Sequence, residues 1–184
     1  MEIVITILVI LVLIAAFIIT VYNKLIKARN KVRNEFAQID TQMQRRFDLI
    51  PNLVEVVKGY ASHEEKVLTQ VTEARSGYMN AKNVEDKINA DNMLSSTLKS
   101  LFAVSESYPE LKANENFVKL QEELSETEDK VTYARQFYND TVTKYNDTLQ
   151  VFPNNIVGGM FGFKEEVLFK IENDAAKQAP KVQF

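Results

Sequence analysis

The chain has 184 residues and carries 22 lysine or arginine residues against 25 aspartate or glutamate residues, which gives a net charge of −3 at pH 7. The absence of cysteine from this sequence excludes disulfide bonds, cysteine nucleophiles and cysteine-ligated metal sites. Nucleic-acid binding is disfavoured because the domain has no evident basic face of its own, and the scarcity of glycine and proline, with 5 and 4 residues, favours long helices.

The chain begins with an apolar run. From residue 3 to Tyr22 no side chain is charged, and two threonines are the only polar groups before the tyrosine. A helix of this length extends about 30 Å, which matches the hydrocarbon core of a bilayer. A cleaved signal peptide is disfavoured, because the charge preceding the run is the negative one of Glu2. We therefore predict a retained transmembrane anchor over residues 1–23. Its main anchor residues are Ile3, Leu8, Leu11, Ile14, Phe17 and Val21.

A basic stretch follows the apolar run. Five basic residues precede the first acidic residue after the run, Glu35, and they are Lys24, Lys27, Arg29, Lys31 and Arg33. Basic residues next to a span stay on the cytoplasmic side of the membrane. The sequence thus predicts a single-pass membrane protein with an external amino terminus and a cytoplasmic C-terminal domain.

Apolar residues after the anchor recur every three or four positions, which is the period of an amphipathic helix. The predicted helices cover residues 24–48, 51–79, 86–107 and 110–152. Since each has one apolar face, we predict an all-α fold in which the transmembrane helix continues into an antiparallel four-helix bundle. Pro51 admits either a kink or a reversal, and we expect a reversal, because an unbroken helix from 24 to 79 would leave much of its apolar stripe uncovered.

The composition changes after Pro153. Residues 154–163 combine three glycines with five large apolar side chains, and a further apolar group follows at 167–169. Such residues mark an interface with protein or lipid when they are exposed. The predicted parts of the chain are the anchor at 1–23, the helical bundle at 24–153, and a short apolar C-terminal segment with its tail at 154–184.

The sequence offers only weak candidates for chemistry. His63 is the single histidine, and the residues after it lack the second histidine of a zinc-protease helix. The glycines near Lys164 do not form a phosphate loop, because Phe163 occupies a position that requires glycine. Carboxylates on the helical segments are candidate acid–base groups, but charged helix faces are usually solvated. We predict no catalytic residue, no cofactor and no bound metal.

A polar cluster lies where the first two predicted helices meet. Arg45 and Arg46 stand between Asp40 and Asp48. These charges either form salt bridges that join helix ends or present a docking surface to a partner. The candidate interaction surface combines them with the C-terminal apolar residues and comprises Arg45, Arg46, Asp48, Ile156, Met160, Phe161, Phe163 and Phe169.

Several ordered motifs resemble one family, the bacterial LemA proteins. The resemblance runs from Tyr22 to Phe184 and includes YNKL at 22–25, RRFDLIPNLVE at 45–55, KGYASHE at 58–64, YPELKANENF at 108–117, LQEELSETED at 120–129, ARQFYN at 134–139 and FGF at 161–163. It implies a membrane-anchored helical bundle without an established enzymatic activity, often associated with membrane proteases or stress functions. Some members carry a lipoprotein-type amino terminus, which gives the alternative of a domain outside the cytoplasm.

Together these features predict a non-enzymatic scaffold or interaction protein that self-associates at the bacterial cytoplasmic membrane. Its expected partners are the lipid bilayer, further copies of the same chain and a membrane protein such as a protease, and no nucleic acid. The alternatives are a membrane-shaping protein and an adapter or regulator of a membrane protease in envelope stress.

Overall fold

The computed structural model describes residues 1–169, and within that range the protein is helical without a strand. The helices are α1 (Glu2–Tyr60), α2 (Glu65–Asn80), α3 (Val84–Ser105), α4 (Pro109–Lys112), α5 (Glu115–Gln150) and α6 (Asn154–Met160). A stretch without regular secondary structure follows from 163 to 169. The all-α prediction is confirmed for these residues, whereas the predicted tail beyond residue 169 lies outside them.

Helix α1 begins with the predicted anchor. It is 59 residues long and includes a window long and apolar enough to cross a membrane, none of which is buried inside the protein. The hydroxyls of Thr6 and Thr20 donate to the carbonyls of Glu2 and Ala16, at 2.9 and 2.8 Å, so the two polar side chains of the run bond within the helix itself. The expected continuity of the anchor with the following helix is confirmed, because α1 has no break before Tyr60.

The expected reversal near Pro51 is wrong. Pro51 lies inside α1, which ends only at Tyr60, and the next helix begins at Glu65. A proline lacks the amide hydrogen that would donate to the carbonyl four residues earlier, here that of Phe47. Arg75 of α2 supplies a donor, with its Nε 3.2 Å from the Phe47 oxygen. The carbonyl that the proline leaves open in the helix thus has a donor from a residue distant in sequence.

Capping residues set other boundaries. The side chain of Asn83 accepts a hydrogen bond from the amide of Asp86 at 2.8 Å and starts α3, between the predicted helices 51–79 and 86–107. The predicted helix at 110–152 is wrong as a single element. It is divided into α4 and α5, because the side chain of Asn114 accepts from the amide of Phe117 at 3.0 Å and so caps a new helix.

The contacts between residues divide the chain into two compact units. Unit 1 comprises residues 1–42 and 130–168, and unit 2 comprises residues 43–129 and Phe169. Helices α1 and α5 contribute residues to both units. The predicted division of the chain at residues 23 and 153 follows composition rather than contacts, and it stays a prediction.

Each unit has an apolar core of its own. The buried side chains of unit 1 include Leu25, Val32, Ile39, Val131, Tyr138, Val142 and Tyr145. Those of unit 2 include Ile50, Leu53, Val57, Leu94, Leu101, Leu111 and Phe117. Since these positions recur at helical spacing along the sequence, the apolar stripes face the interior of the units.

Candidate functional site

In unit 1, a short uncharged segment packs beside the end of the apolar span. The ring of Phe161 lies 4.8 Å from that of Tyr22 between centroids, and the ring of Phe163 lies 5.7 Å from it, both edge-on. The guanidinium carbon of Arg29 lies 4.9 Å from the centre of the Phe163 ring, which is within cation–π distance. These contacts place the end of α6 and the residues after it beside the part of α1 that follows the anchor.

Two glycines shape this packing. A Cβ atom on Gly158 would collide with the side chain of Leu149 and lie 3.7 Å from a methyl group of Leu25, so the missing Cβ lets α6 approach α1 and α5 closely. Gly162 has a φ of +70°, a left-handed conformation that other residues rarely adopt. Glycine at these two positions therefore allows the close approach of α6 and the turn that follows it.

Five large apolar side chains between the end of α5 and the end of α6 are about half exposed or more. They form the apolar shelf, which consists of Val151 (53% exposed), Phe152 (77%), Ile156 (54%), Met160 (66%) and Phe161 (51%). Two other residues of the predicted interaction surface, Phe163 and Phe169, are 9% and 3% exposed and lie in the interior. Sequence reasoning missed Val151 and Phe152, although the run without charge from residue 151 to 163 marks them.

A row of lysines lies just beyond the anchor on α1. Lys24, Lys27 and Lys31 are exposed and recur at helical spacing, so they share one face. Tyr22 and Arg29, which contact the segment around α6, lie on the other side of the helix, since successive residues are rotated by about 100°. This part of α1 thus has one side that contacts the segment around α6 and an opposite side that carries exposed lysines.

The chain after α6 forms a strap, residues 164–168, along α5. The hydroxyl of Tyr145 donates to the carbonyl of Lys164 at 2.9 Å. The hydroxyl of Tyr138 donates to the carbonyl of Val167, also at 2.9 Å. Both tyrosines are 1% exposed, so each combines a ring in the core with a hydroxyl bonded to the backbone of the strap.

Asn146 completes the attachment of the strap. Its side chain accepts from the amide of Glu166 at 3.0 Å and donates to the carbonyl of the same residue at 2.9 Å. Burial raises the pKa of Tyr138 to about 12, and the Glu166 carboxylate adds to the rise. Burial and Glu166 also raise the pKa of Tyr145, against the opposing effect of two arginines. Both phenols therefore remain protonated donors at physiological pH.

In unit 2, one arginine of the predicted interaction surface is buried. Arg46 is 3% exposed, and its guanidinium pairs with Asp91 at 3.5 Å and with Glu128 at 2.5 Å. The hydroxyl of Ser95 accepts from Arg46 and donates to Glu128, each at 3.3 Å. A cavity of about 200 Å³ adjoins this cluster. The contacts connect α1, α3 and α5 within unit 2, so the fold itself uses the guanidinium.

The partners of Arg46 come from distant parts of the sequence. Sequence reasoning paired it with nearby aspartates and missed Asp91 and Glu128. A signal for Asp91 was present, because it interrupts the apolar stripe of α3 between Ile88 and Leu94. A charge at such a position is stable in the interior only with a partner of opposite charge. An acidic residue within an apolar stripe therefore predicts a buried ion pair.

The remaining predicted polar residues are at the surface. Arg45 and Asp48 are exposed, and a carboxylate oxygen of Asp48 accepts a hydrogen bond from Gln44 at 2.9 Å. His63 is exposed in the turn after α1. Within residues 1–169, no three histidine, aspartate or glutamate side chains form a group that could hold a metal ion.

Comparison with known proteins agrees with the motifs. Residues 35–184 match the model of the LemA family. Protein LemA of Metamycoplasma hominis is 24% identical over 149 residues, which cover 80% of this chain and 68% of that protein. Magnetosome proteins MamQ 1 and MamQ 2 of Paramagnetospirillum magneticum are each 23% identical over 186 residues, which cover 85% of this chain and 68% of each relative. Since the family model spans most of the sequence, including most of the motifs, the protein belongs to the LemA family.

Proposed function

We propose that this protein is a non-enzymatic scaffold that is held in the bacterial cytoplasmic membrane by a single span and self-associates. The observation that carries the proposal is the first part of α1, where a window long enough to cross a membrane has no buried residue. Leu8 and Leu11, for example, are each 60% exposed. Removing a leucine side chain from water is worth about 1.5–3 kcal/mol. A run of such residues is therefore stable only in lipid or against a partner.

The basic residues after the span favour a domain on the cytoplasmic side. Since the chain has no cysteine, Ser62→Cys in the exposed turn after α1 provides a single reactive thiol. We expect a membrane-impermeant maleimide to label this variant only after the cytoplasmic membrane has been opened. Labelling in intact spheroplasts would instead place the domain outside the cytoplasm.

A structural role is supported by the way the fold uses its polar groups. The buried Arg46 and Asp91 pair with each other in unit 2, and Tyr138 donates to the backbone of the strap in unit 1. None of the three relatives carries an enzyme name. We further propose that the four helical segments of unit 2, from α1, α2, α3 and α5, form an antiparallel bundle. Turnover of a small molecule by the homogeneous full chain would contradict the non-enzymatic role.

Self-association is supported by an exposed aromatic pair on α5. Tyr133 and Phe137 are each 63% exposed and lie four residues apart, so they share one face of the helix. Anchored copies are confined to one plane, which raises their effective concentration for each other. We therefore assign this face to contact with a second copy of the chain.

Extraction into native nanodiscs, followed by mass measurement, tests this contact. We expect more than one copy per disc for the unmodified chain and a shift to single copies when Tyr133→Ser and Phe137→Ser remove both rings. Met93→Ser is the matched control, because Met93 is 61% exposed on α3. A strict monomer of the unmodified chain at every ratio of lipid to protein would sink the claim of self-association.

Membrane shaping is a second candidate, favoured by the exposed apolar shelf beside the end of the span. Its readout is the deformation of liposomes by the unmodified chain and not by Phe161→Asp, which places a charge on the shelf. A membrane protease that co-purifies in the native nanodiscs, and is lost on Arg45→Glu, would instead support the role of an adapter.

A further inference from the structure

The apolar shelf includes residues of α6, a short helix with apolar side chains on two of its sides. From residue 151 to 163 no side chain is charged. In α6, Val157 and Gly158 are buried, whereas Ile156 and Met160 lie on the other side and are more than half exposed. The helix thus packs one apolar face on unit 1 and presents a second apolar face outward. Exposed apolar surface of this kind marks a contact with protein or lipid.

We propose that the apolar shelf inserts into the bilayer that α1 crosses, at the boundary between the acyl chains and the headgroups. This second lipid contact rests on the proposed membrane anchor and deepens it. A short amphipathic segment that lies in this boundary needs an apolar face, and the shelf provides one. The occupant of the shelf is therefore lipid, and an additional protein partner is not required to cover it.

The position of α6 supports this contact. Phe161 of the shelf lies 4.8 Å from Tyr22 between ring centroids. A tyrosine at the end of a span lies in the interface between lipid and water. Ile156 and Met160 belong to the same helix, whose seven residues extend over about 10 Å. The whole shelf is therefore within reach of the depth at which the span leaves the hydrocarbon.

The basic residues near the end of the span also fit a contact with lipid. Lys24 and Lys27 are exposed on the opposite side of α1, within two turns of Tyr22. Lysine side chains at this position extend into the headgroup layer, where anionic lipids attract them. The end of the span is thus flanked by an apolar side for the acyl boundary and a basic side for the headgroups.

A second contact changes what the anchor does. A single helix leaves the attached domain able to tilt and to rotate about the span. Insertion of Phe161 and Met160 beside the end of the span restricts both motions, because two separate points of unit 1 then lie in the membrane. Unit 1 therefore has a defined orientation against the lipid surface, which a scaffold on one span alone would lack.

Quenching of a single tryptophan by lipid tests the contact in the full chain, which has no tryptophan of its own. Phe161→Trp and Phe152→Trp report on the shelf. Met93→Trp is the matched control, because Met93 is an apolar residue of α3 that is 61% exposed and belongs neither to the shelf nor to the face assigned to contact between copies. Each variant is reconstituted in vesicles of phosphatidylcholine and phosphatidylglycerol, with and without bromine on the acyl chains.

We expect brominated lipid to quench both shelf variants at least about threefold more strongly than the control, since an interfacial segment reaches into the acyl boundary. Replacing Phe161 could disturb its contact with Tyr22, so Phe152→Trp provides a second reporter at a residue that is 77% exposed. Quenching of both shelf variants no stronger than that of Met93→Trp would overturn the lipid contact. Flotation of the same vesicles separates the two proposals, because a chain that floats without quenching keeps its anchor, whereas a chain that does not float has lost it.

Discussion

The two units depart from the usual distribution of side chains in opposite ways. Unit 1 exposes apolar residues, among them Phe152 at 77%, whereas unit 2 buries the charges of Arg46 and Asp91 at 3% and 0% exposure. Exposed apolar surface is unfavourable in water, so it indicates an environment outside the chain. A buried ion pair is costly to desolvate, and its partners must stay together once it is formed. The exposed apolar residues of unit 1 therefore indicate what the protein contacts, whereas the buried charges of unit 2 indicate how its helices are held together.

The largest effect is expected from breaking the buried charge cluster of unit 2. Arg46→Ala leaves the Asp91 carboxylate buried without its arginine, which lowers the free energy of unfolding by about 3–5 kcal/mol. The neighbouring variant Arg45→Ala is the control, because Arg45 is exposed and its loss should change the stability by less than about 0.5 kcal/mol. Thermal unfolding of the full chain in detergent, followed by circular dichroism, measures both. Equal effects of the two substitutions would contradict a structural role for the buried charge.

A somewhat smaller loss of stability is expected from disturbing the packing of α6 against the rest of unit 1. In Gly158→Val the new side chain meets Leu149 and Leu25, so Leu149 must move and the stability should fall by about 1–3 kcal/mol. Gly159→Val is the matched control, since a Cβ there has no neighbour within 4 Å. The same unfolding experiment compares the two variants. If both valines cost the same, close packing of α6 on unit 1 is excluded as the cause.

The next effect concerns the hydrogen bond in unit 2 between Arg75 and the carbonyl of Phe47, which Pro51 leaves without a backbone donor. Arg75→Met removes the donor to the Phe47 carbonyl, with an expected cost of about 1–2 kcal/mol. Pro51→Ala restores a backbone donor to the same carbonyl, so Arg75→Met should cost less in that background. The unfolding free energies of the four proteins form a double-mutant cycle that measures the difference. An identical cost in both backgrounds would show that the arginine does not compensate the proline.

The smallest effect is a pH dependence in unit 1. The pKa of Tyr138 is raised from 10.0 to about 12 by burial and by Glu166. Because the unfolded chain loses this proton first, the contribution of the neutral phenol to stability is complete below pH 10 and is lost as the pH rises from 10 toward 12. Tyr138→Phe should therefore flatten the fall in unfolding free energy over that range. Parallel curves for the two proteins would argue against a buried, neutral phenol.

Features that depend on neighbours along the chain could be predicted from the sequence. The sequence identified the long apolar run at the start of α1 and the buried helix faces, because each depends on residues within a few helical turns of one another. The prediction failed at Pro51, where the donor to the open Phe47 carbonyl belongs to Arg75 of another helix, which the local sequence does not reveal. The partners of Arg46 were missed for the same reason.

The candidate site could be predicted only in part, for a related reason. Met160 and Phe163 are equally apolar and close in sequence, yet Met160 is 66% exposed and Phe163 is 9% exposed. The left-handed turn at Gly162 directs the chain so that the Phe163 ring meets Tyr22 and Arg29. Composition identifies such a segment as apolar, but the residues that it meets in the fold decide which of its side chains remain exposed.

The central claim is that α1 stays in the bilayer and that the protein acts from there. The most direct test is the intact mass of the protein recovered from membranes that have been washed at alkaline pH, which removes peripheral proteins. We expect the chain to remain in the washed membranes and to keep the residues before Tyr22. Recovery of the chain from the soluble fraction, trimmed before Tyr22, would contradict it.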